Sequence, residues 1–409
     1  MIKPQTLKGF RDFLPQEARK RQYATNIFKK VFEKFGFEPL ETPVLEYEEI
    51  LAGKYGEEGD KLMYRFEDLG QRKVAMRYDQ TVPLARVVAQ YENQIAFPFK
   101  RYQISPVWRA ENTQKGRFRE FYQCDIDTVG PDTPLTDAEI IAATINAFKE
   151  LGFKNFKILL NDRAIFKELT TEAIIIIDKL KKIGADNVCK ELVEKKISTN
   201  FEEAKNLLDS LLNQKPTERL NEIIKNLEQF GADKSYIEFS PVLARGLDYY
   251  TGMIFETIVA EYPYGSFAGG GRFNNLIGLF TTKQIPAVGV AFGFDRIIDA
   301  MQALELFPPE IAGSPTQVLV TIFSKELKNK SLAICNELRS NNIKTEIYLG
   351  EIKEKNPLEK QLKYADQKGI TNVIILGPQE TEKNIVTLKN LKTREQKKLT
   401  LKDAMDLLV

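Results

Sequence analysis

The chain has 409 residues, a net charge of only +2, three cysteines and no histidine. Its length predicts more than one domain, and the lack of histidine excludes Ser-His-Asp triads, Cys-His pairs and histidine-ligated metal centres. The three cysteines lie too far apart in sequence for a zinc or disulfide framework, so we expect no metal site made by Cys or His. Any chemistry must depend on Arg, Lys, Asp, Glu, Tyr and bound metal ions.

The first 150 residues predict a helix followed by short strands. Apolar residues at helical spacing predict an amphipathic helix over residues 15–35, ended by Gly36. An extended segment with Pro39 and Pro43 follows, and proline predicts an edge or an interface there. Alternating segments predict four strands between residues 61 and 129, the last two forming an antiparallel hairpin around residues 112–116. A further helix is predicted over residues 136–151.

The residue pattern changes twice in the rest of the chain. Residues 164–233 are rich in Lys and Glu at helical spacing, which predicts a helical insertion. Strands return at Tyr236, and a linker with three prolines then precedes alternating strands and helices. The expected fold is therefore an α+β core with an antiparallel sheet flanked by helices, followed by a C-terminal α/β domain with a mostly parallel sheet. The predicted domains are 1–315, interrupted by the insertion 164–233, and 316–409.

Two neighbouring strands carry polar residues that point to one face. On the strand that begins near residue 117, the two-residue period places five side chains together, namely Arg119, Phe121, Gln123, Asp125 and Asp127. Arg109 and Glu111 share a face of the preceding strand. Arginine beside carboxylates on a sheet floor can bind a nucleotide, because guanidinium matches phosphate. The alternative is a surface ladder of ion pairs.

Three further segments carry candidate site residues. Asp79 and Thr81 can hold an ammonium group, and Arg296 opens a helix where a phosphate can bind. The segment ARGLDYYTGMIFE, residues 244–256, sets Arg245 just ahead of Tyr249 and Tyr250. Alone, that segment favours a buried ion pair with two core tyrosines over a substrate site. The glycine-rich loop at residues 265–276 has neither the Rossmann nor the P-loop spacing.

Taken in chain order, these segments resemble the histidyl-tRNA synthetase family of class II aminoacyl-tRNA synthetases. The resemblance runs from Leu7 to the C-terminus. The matching segments are KGFRDFLP at 8–15, FGFEPLETPVLE at 35–46 (motif 1), residues 109–127 (motif 2), ARGLDYYTG at 244–252 (the histidine signature), AFGFDRI at 291–297 (motif 3) and LEKQLKYADQKG at 358–369 (the anticodon-binding domain).

The resemblance implies a role for each matching residue. Those implied to bind histidine are Asp79, Gln80, Thr81, Arg109, Gln123, Asp127, Arg245, Tyr249 and Tyr250, with Asp127 and Tyr250 on the imidazole nitrogens. Those implied to bind ATP are Arg109, Glu111, Arg119 and Arg296. The catalytic residues implied are Arg109, Arg245 and Arg296. Gln114 would approach the tRNA acceptor end, and Pro43 would lie at a homodimer interface.

The implied reaction is the activation of L-histidine by ATP, with Mg²⁺, followed by transfer of histidine to its tRNA. The aspartates Asp79 and Asp127 stand where many bacterial members of the family carry glutamate, and Phe273, Asn274 and Asn275 depart from the family's usual loop ending. No apolar leader or membrane-length segment is present in the sequence, so we expect a cytoplasmic protein with no membrane partner.

Three alternative functions remain at this point. One is the regulatory subunit of ATP phosphoribosyltransferase, which resembles the core but lacks the anticodon-binding domain. The others are a tRNA-sensing module with an inactive site and a synthetase for another amino acid. Retention of Arg109, Arg245 and Arg296 argues against the first two, and Asp127 with the paired tyrosines argues against the third.

Overall fold

The computed structural model describes residues 1–54, 56–113, 117–244, 249–352 and 355–408. The chain divides into two compact units. The first comprises Met1–Asp12 and Arg21–Leu306, and the second comprises Phe13–Lys20 and Phe307–Val409.

The first unit contains eleven strands and most of the helices among the described residues. Its strands are β1 (Glu38–Pro39), β2 (Leu45–Tyr47), β3 (Arg65–Glu67), β4 (Lys73–Met76), β5 (Phe99–Trp108), β6 (Glu120–Val129), β7 (Phe156–Asp162), β8 (Ile237–Phe239), β9 (Met253–Val259), β10 (Ala268–Arg272) and β11 (Ala287–Gly293). Its helices are α1 (Pro15–Lys34), which begins among residues of the second unit, α2 (Glu48–Leu51), α3 (Gly56–Lys61), α4 (Thr81–Tyr91), α5 (Pro134–Glu150), α6 (Thr171–Ile177), α7 (Leu180–Ile183), α8 (Ala185–Glu194), α9 (Phe201–Leu212), α10 (Glu218–Gln229) and α11 (Phe294–Ala303).

Eight of these strands form one large mixed sheet in the order β1-β5-β6-β11-β10-β9-β7-β8. The five inner pairings are antiparallel, and the edge pairings β1–β5 and β7–β8 are parallel. The sequence predicted an antiparallel sheet, which is wrong for the two edge pairings. Parallel neighbours need a long connection, and the helices between β7 and β8 provide one. The strands β2, β4 and β3 form a separate antiparallel sheet.

One face of the large sheet is covered by helices. On this face the ring of Phe292 lies 5.0 Å from Phe28 and 5.7 Å from Phe32 of α1, and 6.1 Å from Phe148 of α5, measured between centroids. All four side chains are fully buried. Pro134 and the Thr133 hydroxyl, which accepts from the Thr136 amide, start α5. The opposite face holds buried polar residues of β5 and β6.

The helices α6 to α10 occupy the stretch where the sequence predicted a helical insertion. Three of them begin at capping side chains, namely Thr170 before α6, Asn200 before α9 and Thr217 before α10. Their apolar faces form a separate core that also includes Tyr250 and Ile254. The buried side chains of this segment therefore reach the strand that follows the histidine-signature segment.

The second unit is built on a five-stranded sheet. Its strands are β12 (Val318–Val320), β13 (Thr345–Ile347), β14 (Asn372–Ile375), β15 (Val386–Asn390) and β16 (Gln396–Leu399), and its further helices are α12 (Pro309–Ala312), α13 (Lys328–Ser340), α14 (Glu359–Lys368), α15 (Pro378–Glu382) and α16 (Leu401–Asp406). The order is β13-β12-β14-β15-β16.

The prediction of a mostly parallel C-terminal sheet is wrong for its second half. The strand β12 pairs in parallel with β13 and β14, whereas β15 pairs antiparallel with β14 and β16. The connection between β15 and β16 is too short for a crossover, so these strands form a hairpin. The side chain of Asn390 accepts from the amides of Lys392 and Thr393 and stabilises that turn.

Candidate active site

A cavity of about 420 Å³ opens on the polar face of the large sheet. It brings together eight of the predicted site residues, namely Asp79, Thr81, Arg109, Glu111, Gln123, Tyr249, Tyr250 and Arg296. Gln80, Arg119 and Asp127 are close in the fold but do not line it. Arg245 and Gln114 lie outside the described residues.

The cavity floor consists of cross-strand rows of paired residues. In the deepest row, Arg101 of β5 pairs with Asp127 of β6, which pairs with Gly289 of β11, which in turn pairs with Gly271 of β10. Directly paired residues project to the same side of a sheet. The next row contains Asp125 beside Ala291, and the next contains Gln123 beside Gly293. The sequence correctly placed these acidic and amide side chains on one face.

Asp127 lies beneath the cavity and not in its wall. Its residue is 3% exposed, and its Oδ2 atom is 2.6 Å from Nη2 of the buried Arg101. A Cβ atom at Gly289 would overlap the Asp127 carboxylate, so glycine is required there by close approach. Burial raises the pKa of Asp127 to about 6; Arg101 opposes that rise and Asp79 adds to it.

Tyr250 lies close to Gly271, the glycine of β10 that pairs with Gly289. A Cβ atom at Gly271 would be 2.8 Å from its ring, and the ring of Tyr249 is 4.8 Å away from the Tyr250 ring between centroids. Because Gly271 and Gly289 are paired, the Tyr250 ring and the Asp127 carboxylate lie over neighbouring positions on the same face of the sheet.

The start of α4 forms one wall of the cavity. Asp79 accepts a hydrogen bond from the Val82 amide at 3.1 Å, and Thr81 begins the helix. Gln80 points behind this wall, where its amide nitrogen donates to Ser105 and to the backbone oxygen of Gln123. Gln80 therefore supports the wall and the floor instead of lining the cavity.

Arg109 is held in place by two aromatic rings. Its guanidinium carbon lies 4.3 Å from the Tyr78 ring centroid and 5.2 Å from that of Phe121, and its Nε donates to the Tyr78 carbonyl at 3.1 Å. Within the part of the chain that the structure describes, its terminal nitrogens make no hydrogen bond. A guanidinium oriented in this way presents a fork of donors to an anion in the cavity.

The opposite end of the cavity is positively charged. Arg117 and Arg296 both line it, and Arg296 donates to the Ser266 carbonyl. Burial lowers the pKa of Arg296, and the neighbouring Arg117 lowers it further. Two cations facing one space, with Glu111 as the nearby carboxylate, form a site for a polyanion. Arg119 donates from Nε to the Glu111 carbonyl and supports this end from outside the cavity.

A cluster of hydrogen bonds that the sequence did not predict holds the residue before Arg296. The preceding residue, Asp295, accepts from Arg11 and Arg21 at 2.6 Å each and from the Tyr122 amide at 2.8 Å. The Arg11 guanidinium also lies 3.3 Å from the centroid of the Phe118 ring, which lines the cavity. No sequence pattern indicates this cluster, because Arg11 and Asp295 are 284 residues apart in the chain.

Pro43 lies between β1 and β2 and is exposed to solvent. The nearby residues Val44, Leu45 and Tyr47 are also exposed, at 40, 42 and 53%. The predicted role of Pro43 at a homodimer interface stays a prediction.

The chain is similar to known proteins along its whole length. A sequence model described as histidyl-tRNA synthetase matches residues 9–185 and 179–297, and one described as an anticodon binding domain matches residues 317–409. The histidine–tRNA ligase of Cytophaga hutchinsonii is 38% identical, covering 100% of both chains. That of Rhodopirellula baltica is 39% identical, covering 97% of this chain and 95% of the relative.

Solved structures give the same result. The crystal structure of histidyl-tRNA synthetase from Nostoc sp. PCC 7120 is similar with a TM-score of 0.85 and 30% identity, covering 100% of this chain and 99% of that one. A family match over most of the sequence and full-length relatives well above 30% identity agree with the geometry of the cavity. The chain belongs to the histidyl-tRNA synthetase family.

Proposed function

We propose that this chain is a histidine–tRNA ligase, which activates L-histidine with ATP and transfers it to the 3′ end of its tRNA. The observation that carries the proposal is the cavity itself. Its lining includes Tyr250, with the buried Asp127 carboxylate beneath the cavity, and also the cations Arg117 and Arg296. Arg109 lies on its wall with an oriented guanidinium.

The imidazole ring of histidine binds above Gly289 and Gly271, between the Asp127 carboxylate and the Tyr250 hydroxyl. The Asp127 carboxylate accepts a ring N–H, and the Tyr250 hydroxyl bonds the other ring nitrogen. Tyr249 lines the pocket, and the α-amino group binds at Asp79 and Thr81. A site that pairs both ring nitrogens rejects amino acids of similar size that leave its polar groups unpaired.

ATP lies with its phosphates towards the arginines. Arg109 bonds the α-phosphate and the substrate carboxylate, which brings the two reacting groups together. Arg296 bonds the γ-phosphate, while Glu111 and Arg119 support the nucleotide. Arg245, outside the described residues, stabilises the charge that develops on the α-phosphate. Gln123 contacts the histidine backbone.

The reaction proceeds in two steps. A carboxylate oxygen of histidine attacks the α-phosphorus in line, the bond to the bridging oxygen breaks, and pyrophosphate leaves with its electrons. A terminal ribose hydroxyl of the tRNA then attacks the adenylate carbonyl, its proton is lost, and AMP leaves. Positioning and charge stabilisation account for the rate, and no side chain forms a covalent bond.

Mg²⁺ fits the nucleotide end as an ion that arrives with the phosphates. Among the described residues no group of three or more Asp, Glu, Cys or His side chains is arranged as a metal site. Glu111 can offer a carboxylate there, and Mg²⁺ is commonly held by one or two carboxylates, water and substrate phosphates. When bound, it neutralises phosphate charge.

The remaining assignments extend the same proposal to the whole chain. Residues 1–315 form the catalytic domain, interrupted by the helical insertion 164–233, and residues 316–409 bind the anticodon. Gln114 approaches the acceptor end, and Pro43 lies at a homodimer interface. None of the helices in the described ranges has both the length and the apolar composition that crossing a bilayer needs. We place the enzyme in the cytoplasm with no membrane partner.

The test is amino-acid-dependent exchange between ATP and pyrophosphate, measured with each of the twenty amino acids. Exchange with histidine alone, and histidine transfer only to its own tRNA, are the expected results. A folded protein that supports exchange with no amino acid contradicts the proposal. Binding of ATP phosphoribosyltransferase or of uncharged tRNA would then decide between the regulatory and the sensing alternatives.

A further inference from the structure

Arg101 is a buried guanidinium that the proposed reaction does not use. Its residue is 0% exposed, which makes it one of the largest fully buried side chains. Nη2 contacts Asp127 Oδ2 at 2.6 Å and donates to the Gln80 carbonyl at 3.2 Å. Replacing a buried ion pair by apolar residues is often neutral or stabilising, so this pair is weak evidence for a purely structural role.

The guanidinium is also incompletely bonded. Within the described residues, Nε and Nη1 of Arg101 are buried without a hydrogen-bond partner. A buried donor left in this way costs stability. An arginine whose role was only to stabilise the fold would use more of its five N–H donors. The incomplete bonding of Arg101 therefore indicates a role other than stability.

We propose that Arg101 is a specificity-determining residue that acts through Asp127: it holds the Asp127 carboxylate ionised and directed to the space above Gly289, so that the pocket presents an acceptor to a ring N–H. The proposal rests on the proposed function, in which that ring is the imidazole of histidine. Arg101 itself lies beneath the cavity and is a positioning residue.

The charges around Asp127 show why the cation matters. Asp125 lies on its own strand and Asp79 at the start of α4, whereas β10 and β11 offer only glycines at the paired positions. Burial, first, and the Asp79 carboxylate favour the protonated form of Asp127. Arg101 is the charge that opposes them. Without it the carboxyl group would be neutral near pH 7 and would donate a proton where the ring also donates.

Arg101 also connects the two ends of the amino-acid site. Its bond to the Gln80 carbonyl fixes the backbone between Asp79 and Thr81, the residues proposed to bind the α-amino group. The Gln80 side chain in turn donates to the Gln123 carbonyl on the floor. One guanidinium therefore orients the ring acceptor and supports the amino end.

The experiment measures KM for the amino acid in pyrophosphate exchange from about pH 5.5 to about pH 9, a range that spans the ordinary histidine pKa. Because the ring of histidine titrates in this range, the same series is run with 1,2,4-triazole-3-alanine, whose ring is much less basic. The variants are Arg101→Leu, Arg101→Lys and the double variant Arg101→Leu with Asp127→Asn. The matched control is Arg86→Leu, which removes an arginine paired at 2.6 Å with the buried Glu46, outside the cavity lining.

In the wild type, KM for the analogue should rise as pH falls through about 6, the pKa of Asp127. In Arg101→Leu, KM near neutral pH should rise about 10- to 100-fold, the equivalent of one hydrogen bond to a charged group. The inflection should move to higher pH, and KM should recover in the alkaline range. KM for ATP should change less than about twofold, since the ATP contacts are separate.

The remaining variants separate the proposed role from loss of structure. The double variant should have a high KM with no inflection in this pH range. Arg101→Lys, which keeps a charge but cannot make the forked contact, should fold and give a smaller shift. Arg86→Leu should lower the unfolding midpoint and leave KM and its pH dependence unchanged.

Two results would overturn the proposal. One is an Arg101→Leu protein with the KM and inflection of the wild type. The other, decisive even if Arg101→Leu does not fold, is an Arg101→Lys protein identical to the wild type at every pH. Absence of histidine-dependent exchange in the wild type would instead contradict the proposed function, so the two failures are distinguishable.

Discussion

The two faces of the eight-stranded sheet bury side chains of opposite chemistry. On the helix-covered face, Phe292 of β11 packs among the aromatic rings of α1 and α5. On the cavity face, its neighbours Ala291 and Gly293 lie beside Asp125 and Gln123 of β6. The same strands therefore separate apolar packing from ligand recognition by the alternation of their side chains.

The faces also differ in which buried polar atoms lack a partner, since on the helix-covered face these include only the hydroxyls of Thr128 and Thr257 among the described strand residues. Buried atoms without a hydrogen-bond partner in the described residues include Gln123 Oε1, Asp125 Oδ1 and two nitrogens of Arg101, all on the cavity face. Such atoms lower stability unless a ligand or water bonds them. The helix-covered face therefore contributes mainly to stability, and the cavity face mainly to ligand binding. Substitutions on the two faces should separate these two properties.

Phe292→Ala should cause the largest change and should affect stability. Removing a fully buried ring from the aromatic cluster should cost about 3–5 kcal/mol of unfolding free energy. Urea unfolding measures the loss, and Phe292→Leu should cost clearly less. KM for histidine in the folded fraction should stay within about twofold. A comparable change in KM would contradict the separation of the two faces.

Arg109→Ala should affect activity alone. Losing an oriented guanidinium at the reacting phosphate should lower kcat about 10²- to 10³-fold in pyrophosphate exchange. The unfolding midpoint should stay close to the wild type, because Arg109 makes few contacts that hold the fold. Arg117→Ala, at the exposed edge of the same cavity, is the control and should have a smaller effect. Equal losses for the two variants would argue against the assignment.

The carboxyls of Asp127 and Asp125 should respond differently to the same isosteric change. Burial raises the pKa of Asp125 well above its usual range, which favours the neutral form that asparagine resembles. Asp125→Asn should therefore change KM for histidine less than about threefold, whereas Asp127→Asn should raise it by the equivalent of about 1.5–3 kcal/mol. Similar KM values for both variants would show that ionisation of Asp127 is unimportant.

Gly289→Ala should produce the smallest of these effects and should change both the stability and the KM for histidine. The added methyl overlaps the Asp127 carboxylate and must displace it, at a cost of about 1–3 kcal/mol in stability. KM for histidine should rise while KM for ATP does not. Ala291→Gly, two residues further along the same face, is the matched control. A Gly289→Ala protein with an unchanged KM for histidine would mean that Asp127 does not need its observed position.

Much of the site could be predicted because the two-residue period of a strand assigns faces. The period placed Gln123, Asp125 and Asp127 together, and the structure confirms this through their paired residues. Gly289 of β11 lets the Asp127 carboxylate approach the backbone closely, since a Cβ atom there would overlap it. The resemblance to the histidyl-tRNA synthetase family is confirmed by the full-length relatives.

What could not be predicted depends on contacts between distant segments. Arg101 stands at even spacing from Arg109 on the same strand, a signal that was available, but its partner depends on the register of the hairpin. The burial of Asp127 beneath the cavity depends on the neighbouring strand β11. The hairpin of β15 and β16 was missed because its exposed lysine-rich residues do not alternate in hydrophobicity.

The pairing of Arg11 with Asp295 has a practical consequence for handling the protein. The segment that precedes α1 also supplies the Gly9 carbonyl that accepts from the Arg119 amide at 2.9 Å. An affinity tag joined directly to this segment, or proteolytic trimming during purification, would disturb the nucleotide end of the cavity. The residues that line the cavity would themselves be unchanged in sequence. A purification handle is therefore better placed elsewhere, and a preparation with low activity should first be checked for an intact amino terminus by mass spectrometry.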